Sequence, residues 1–359
     1  MKNLKIAIFS DIHIHPHSSS FDKLNNCLDC LEWIYSETKK RGIKYLIFIG
    51  DLFHDRRSIN TYAYHKTYDI LKKYKDDITS FYLLGNHDIY YKNKTTVNSV
   101  SPISEIVNVI DKPTTISIED RDFDFLPYTE DPIESFSHLG MSDILFGHLS
   151  VPEAILNSKY NTKYRSDDIV QEIKETPKEY LDKYKKVFLG HFHYKQKISE
   201  SIEYVGSPLQ ISFNEAMDKK GFIIFNADTY ESEFIKNNKS PEYCILPLDN
   251  IEDYPLDNNY ARIIIPEFSN INQIKLREEL QNKYKCKSIE LIPISSEKER
   301  ESELKKVNNI DIIMENSSEI IEQYVNSVDS DLDKDLMIKC GLKIMNSDLE
   351  DITSINYEI

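Results

Sequence analysis

Positive charge is in short supply in this chain. Of its 359 residues, 44 are Lys or Arg and 60 are Asp or Glu, for a formal net charge of −16 at pH 7. That balance argues against nonspecific adhesion to nucleic acid, because phosphate contacts are normally made by Lys and Arg. Bound divalent cations or a basic partner would have to offset the acidity locally. Cysteine is sparse too: five, an odd number scattered along a long chain, do not describe a disulfide framework. Cys27 and Cys30 are spaced as C-x-x-C, but Leu24, Leu28, Leu31 and Ile34 complete an inward helical face around them, so both read as core residues rather than a redox pair. Long apolar runs are absent as well, and Met1-Lys2-Asn3 leads straight into a strand without the features of a secretory signal. The expectation is a soluble, cytoplasmic protein with no membrane contact.

What is present is ample material for a core, with 40% apolar residues spread over a length that suits a large catalytic domain plus something smaller. Up to about residue 230 strands alternate with amphipathic helices, the helices predicted at Phe21 to Arg41, Asn60 to Tyr74 and Thr176 to Tyr184. Later stretches, Ile116 to Phe125, Glu203 to Gly206 and Gly221 to Phe225, have strand character, which gives an α/β (α+β) sandwich over residues 1–238. Three prolines between residues 240 and 257 mark a linker. Beyond it, a strand at Ala261 to Pro266, a helix at Asn270 to Tyr284 and a strand at Ser288 to Pro293 make a small β-α-β domain within 239–297. Residues 298–359 turn helical and charged. Ile320, Ile321, Tyr324, Val325 and Val328 form one apolar stripe, and Leu336, Met337, Cys340 and Ile344 another. Each stripe must bury against its own protein or a partner.

The chemistry lies in five short clusters: Asp11-Ile12-His13, Gly50-Asp51-Leu52-Phe53-His54, Gly85-Asn86-His87-Asp88, Gly147-His148 and Gly190-His191-Phe192-His193. Each follows an apolar run with the character of a buried strand, from Ile6-Ala7-Ile8-Phe9 to Val187-Phe188-Leu189. Loops at the ends of separate strands can converge on one point, which fixed metal ligands require. Asp51, whose two oxygens can each face one ion, is the candidate bridge. Asn86 offers a carbonyl oxygen, and His148, His191 and His193 offer imidazole nitrogens. Mixed carboxylate, amide and imidazole donors without thiolate favour Mn²⁺, Fe or Zn²⁺, with Mn²⁺ the first choice for two divalent ions. His87 is placed to protonate a leaving oxygen, and Asp88 to orient that imidazole. His15 and His17 are left out of the site as exposed loop histidines.

As a set, the five clusters resemble the calcineurin-like metallophosphoesterase superfamily, in the order D-x-H, G-D, G-N-H-D, G-H and G-H-x-H. The resemblance covers about residues 4 to 225. It implies that family's four-layer sandwich, with one ion on Asp11, His13, Asp51 and His193, the other on Asp51, Asn86, His148 and His191, and His87 as catalytic acid. Gly50-Asp51-Leu52-Phe53-His54 and the segment from Tyr204 to Ala216, followed by Lys219-Lys220-Gly221-Phe222, are similar to the nuclease subunit of the SbcCD and MRN double-strand-break repair complexes. There the position of His54 helps place the scissile phosphate. The layout of that subunit, with a capping domain and C-terminal helices that bind an SMC-like ATPase, matches the order of units here. The resemblance thus implies a Mn²⁺-dependent DNA exonuclease and endonuclease, a partner to an SbcC-like ATPase, with a homodimer touching through the first two helices, in the host cytoplasm if the chain is viral. The alternative is a stand-alone phosphoesterase acting on small-molecule or protein phosphoesters, and a third is a scaffold that has lost the chemistry.

Overall fold

The computed structural model describes residues 4–91, 94–152, 154–157, 162–163, 175–266 and 272–294, together with Lys334 and Met337, which are helical. Two six-stranded sheets dominate. In the first, β1 (Lys5–Phe9), β2 (Tyr45–Ile49), β3 (Thr79–Leu83) and Asn108–Ile110 run parallel, while Gly221–Asn226 and Glu231–Lys236 extend the β1 edge antiparallel. In the second, the parallel strands Arg121–Leu126, Ile144–His148, Lys186–Gly190 and Ile202–Tyr204 are flanked by antiparallel edges at Thr114–Ile118 and Gln196–Lys197.

The apolar runs have no polar alternation because β1, β2 and β3 are covered on both faces. Phe9, Phe48 and Tyr82 point outward onto α1 (Phe21–Lys40) and α2 (Thr61–Tyr74), against Leu24, Leu31, Ile34 and Leu71. Ile8, Ile47 and Leu83 point inward and meet Phe125, Phe146 and Phe188 of the second sheet. The rings of Phe125 and Phe188 flank Phe146 at 5.4 and 5.6 Å. Burying each such ring contributes about 1.5–3 kcal/mol. On the outer face of the second sheet lie short helices, Pro132–Phe136 and Lys178–Leu181, with the Tyr184 hydroxyl donating to Asp124 at 2.9 Å. Helix, sheet, sheet and a thin helical cover are the four layers of the expected sandwich.

Both long helices start where their caps dictate. Ser20 accepts from the Lys23 amide and Asn60 from the Ala63 amide, so Asn60 is the cap of α2 rather than its first residue. Three expectations are corrected. The single strand expected over Ile116 to Phe125 is a β-hairpin, because Glu119 and Asp120, at φ 53° and 58°, form a left-handed two-residue turn that folds the run back on itself. The helix expected from Thr176 to Tyr184 is one turn, Lys178–Leu181, capped by Pro177 with extended φ/ψ. The stretch taken as a linker contains a strand, Tyr243–Pro247, which pairs parallel with Tyr260–Pro266.

With Ser288–Ile294 these two strands form a three-stranded sheet, carrying the helix Gln273–Tyr284. Its first strands reach the two-sheet part through Tyr243 and Tyr260. The Met217 amide donates to the Tyr243 carbonyl at 3.1 Å, and Asn26 Nδ2 donates to the Tyr260 hydroxyl at 3.1 Å. One compact unit comprises residues 1–165, 173–264 and 271–292, and a second comprises 166–172, 265–270 and 293–359. The apolar stripes expected after residue 300 lie outside the described residues, Met337 excepted. Among the described residues no helix is long and apolar enough to cross a membrane.

Candidate metal centre

All five clusters lie where the two sheets come together at the C-terminal ends of their parallel strands. The loops after β1 and β2 zip along each other beyond the sheet, through Asp11 N to Gly50 O at 3.0 Å, His13 N to Asp51 O at 3.1 Å and Ile14 N to Leu52 O at 2.8 Å. To make those turns Asp11, His13, Asp51 and His191 adopt φ of 53°, 46°, 63° and 98°, a region non-glycine residues rarely occupy. Each such residue costs on the order of 1–3 kcal/mol, and such strain collects at functional sites. The glycines of the motifs are there for space. A Cβ on Gly85 would lie 2.1 Å from Asp51 Oδ1, and one on Gly190 2.2 Å from Ser10 Oγ.

Asp51 stands in the middle. Its Oδ2 is 3.6 Å from His13 Nε2 and 3.5 Å from His148 Nε2, while its Oδ1 accepts from the His87 amide at 2.8 Å, so one oxygen rather than two approaches both histidines. On the His13 side, His193 Nε2 is 2.9 Å from His13 Nε2, and Asp11 is drawn in by the His191 amide at 3.1 Å. On the His148 side, Asn86 Oδ1 is 3.0 Å from both His148 Nε2 and His191 Nδ1. Asp11, His13 and His193 bring donor atoms within 4.8 Å of one another, as do Asp11, Asp51 and His148, and His13, His54 and His87. Donors bound to one ion at about 2.0–2.2 Å lie about 3 Å or a little more apart, which is this spacing.

These residues fit a pair of cations. His148 donates from Nδ1 to the Ile49 carbonyl at 2.7 Å, so its Nε2 carries a lone pair and faces the Asn86 oxygen, two acceptors at 3.0 Å with no proton between them. His193 is arranged likewise, donating from Nδ1 to Glu215 at 2.6 Å and presenting Nε2. Tying one ring nitrogen so that the other is offered is how metal-binding histidines are fixed. Burial drives His148 and His13 well below the usual histidine value and takes His191 down to about 3, which keeps these rings neutral and ready to ligate. Burial pushes Asp11 up. For His193, burial pulls down but the Glu215 carboxylate outweighs it, and the net shift is upward.

His87 lies against the same cavity, its ring centre 4.8 Å from that of His13. Its Nδ1 donates to the His54 carbonyl at 2.6 Å, which leaves Nε2 for chemistry, and burial lowers its pKa to about 4. Asp88 does not orient this ring. Its carboxylate instead accepts from the amides of Asp51, Leu52 and Gly85 at 2.7, 2.9 and 2.9 Å and from Ser99 Oγ at 3.1 Å. It staples the β2 and β3 loops together, and burial raises its pKa to about 6. His54 stacks on His87 at 5.5 Å and touches His13 at 5.3 Å, edge to face.

Two residues that matter were not singled out from sequence. Glu215 and Lys220 are nearly fully buried; Glu215 holds His193, and Lys220 Nζ lies 3.2 Å from Glu215 while donating to the His193 carbonyl at 2.9 Å and to Ser207 Oγ at 2.8 Å. Burial alone would raise Glu215, but Lys220 and His193 overcome it and hold it at about 2. The available signal was a cluster of opposite charges, Glu215, Asp218, Lys219 and Lys220, inside the otherwise uncharged segment Ser207 to Phe222, which has no metal motif of its own. His15 and His17, set aside as exposed, are half-buried against His54.

The fold and this clustered donor set define a metallophosphoesterase. The calcineurin-like phosphoesterase profile matches residues 4–195, more than half of the chain, and the chain belongs to that family of metal-dependent hydrolases of phosphoesters. Over 325 residues it is 29% identical to Exonuclease subunit 1 of Enterobacteria phage T4, covering 86% of this chain and 88% of that protein. Among solved structures it is similar to a nuclease from Pseudomonas putida, at 19% identity and a TM-score of 0.27 over 41% of this chain and 62% of that one. It is also similar to the phosphoesterase Yfce from E. coli, at 14% identity and a TM-score of 0.32 over 66% of this chain and 96% of that one. The family assignment rests on the sequence match and not on these partial structural likenesses.

Proposed function

We propose that this protein is the nuclease subunit of an SbcCD-like complex, cleaving DNA phosphodiester bonds with two divalent ions, Mn²⁺ by preference, and working with an SMC-type ATPase. The observation that carries the chemistry is Asp51 Oδ2, within 3.6 Å of histidine nitrogens from two separate loops, His13 and His148. DNA as substrate is supported by the likeness to the phage T4 exonuclease subunit along most of both chains.

Asp11, His13, Asp51 and His193 would hold one ion, and Asp51, Asn86, His148 and His191 the other. When bound, such a pair lowers the pKa of a water and neutralises charge on the phosphate. The protein's own part is to keep those donors at fixed spacing and to supply protons. His87, anchored through Nδ1, presents Nε2 to protonate the leaving oxygen. The negative charge of a bound phosphodiester favours the protonated ring that burial disfavours. His54, beside both His13 and His87, is placed to contact the scissile phosphate.

The unit at 239–297 would cap and engage DNA, and 298–359 would bind the ATPase. A homodimer through α1 and α2 belongs to the same reading. Phe21 and Tyr62, 55% and 42% exposed with ring centres 4.9 Å apart, give that face an apolar patch. The test is degradation of linear duplex DNA by the chain with its ATPase, Mn²⁺ and ATP. Activity that disappears in His87→Ala is expected; no cleavage by the complete mixture would sink the reading, and turnover of small phosphodiesters alone would favour the stand-alone phosphoesterase.

A further inference from the structure

Beside the centre just described, three imidazoles form a cluster of their own. His15 and His17 come from the loop after β1 and His54 from the loop after β2. Their ring centres are 5.1 Å apart for His15 and His17, 5.2 Å for His15 and His54, and 4.9 Å for His17 and His54. Packing does not account for the arrangement, since buried polar atoms are ordinarily hydrogen-bonded. Here Nδ1 of His15 and Nδ1 of His54 are buried with no hydrogen-bond partner among the described residues. His17 donates from Nε2 to the His13 carbonyl at 3.0 Å, so the neutral ring keeps its lone pair on Nδ1.

One nitrogen tied to a carbonyl and the other left open is the arrangement of a metal-binding histidine. Three imidazoles on one tetrahedral ion, with nitrogens at about 2.0–2.1 Å, place their ring centres about 5 Å apart. The unpartnered atoms are buried, which rules out a substrate phosphate as their direct partner.

We propose that His15, His17 and His54 bind a third divalent cation, distinct from the pair on Asp51. An all-imidazole set selects an ion of the Zn²⁺, Co²⁺ or Ni²⁺ type over Mn²⁺ or Mg²⁺. The three nitrogens are not already drawn within 4.8 Å of one another, as the donors of the paired centre are, so binding closes the rings by side-chain rotation. An ion there puts positive charge beside His54 in a chain whose formal net charge is −16, where an approaching polyanion would otherwise meet repulsion.

The test counts ions rather than turnover, so it stands or falls apart from the nuclease reading. The full chain is stripped of metal, loaded with Co²⁺, dialysed and assayed by elemental analysis and visible absorption. Three ions per chain are expected, one with the intense bands of tetrahedral cobalt, falling to two without those bands in the His15→Ala/His17→Ala variant. Equal counts in both proteins overturn the proposal. If the double variant fails to fold by circular dichroism, His17→Gln, whose amide can still donate to the His13 carbonyl, is counted instead. One ion fewer than in wild type then supports the proposal, and an equal count overturns it.

Discussion

The two sides of the metal centre are held by different physics. Around Asp51 and Asn86 the backbone does the holding: the left-handed turn at Asp51, Gly85 in near contact with it and the Asp88 carboxylate gripping three amides fix the donors. On the side of His193 buried charge does it, with Glu215 fixing the ring and Lys220 fixing Glu215. A site built from backbone geometry shows in the sequence as compact motifs, because glycine and the ligand must be neighbours. A site built from a buried ion pair needs only complementary charges that meet in space, and its parts can sit more than twenty residues from the ligand.

The sharpest break in that comparison is Asp51→Asn, at the carboxylate proposed to serve both ions. Loss of metal affinity and of phosphodiesterase activity by well over about 100-fold is expected, beyond what an outer-shell change produces, as read by calorimetry and turnover together. His87→Gln touches neither scaffold. Turnover should drop by about 10²–10⁴-fold, the worth of general acid catalysis, while metal affinity measured by calorimetry stays within experimental scatter.

Glu215→Gln tests the charged side. Metal affinity should fall by about 10–100-fold, as for other outer-shell partners of ligating histidines, with partial recovery in Glu215→Asp; an unchanged affinity would mean that Lys220 and packing alone hold His193. Gly85→Ala tests the backbone side, where a methyl would collide with Asp51 Oδ1 at 2.1 Å. Overpacking of this kind costs about 1–3 kcal/mol, measurable as a lower denaturant midpoint even in metal-free protein.

The smallest effect separates the two sides by pH. Glu215 is held at about 2 against an ordinary value of 4.5, so the stability it contributes is complete above 4.5 and is lost as pH falls from there toward 2. Metal-free wild type should lose thermal stability across that window more steeply than Glu215→Gln. Asp88, raised to about 6 by burial, works in the opposite sense: its ionisation opposes folding as pH rises from 3.8 through 6. Asp88→Asn should flatten the curve in that higher window and leave the lower one unchanged.

Much of the fold was legible because the parallel strands are buried on both faces and appear as uninterrupted apolar runs, while Ser20 and Asn60 mark the helix starts. The misreadings share a cause. Glu119 and Asp120 do not have the glycine that usually announces a tight hairpin, and Tyr243–Pro247 is recognisable as a strand only through its pairing with Tyr260–Pro266. In the site, candidate donors could be named one by one, but Asp88 was given a neighbour's task because adjacency in sequence stood in for adjacency in space. His15 and His17 were dismissed because nothing local announces that the β2 loop will bring His54 against them.

By itself the sequence determined which residue types stand at the strand ends, and hence the family and its ion-binding chemistry, since apolar periodicity and motif spacing are local properties of a chain. Tertiary structure alone decided which of those side chains face one another, that Asp51 lies between His13 and His148, and that Glu215 and Lys220 stand behind His193. The physical reason is that hydrogen bonding and burial act across space on atoms more than twenty positions apart, and no spacing rule encodes a meeting arranged by the packing of two sheets.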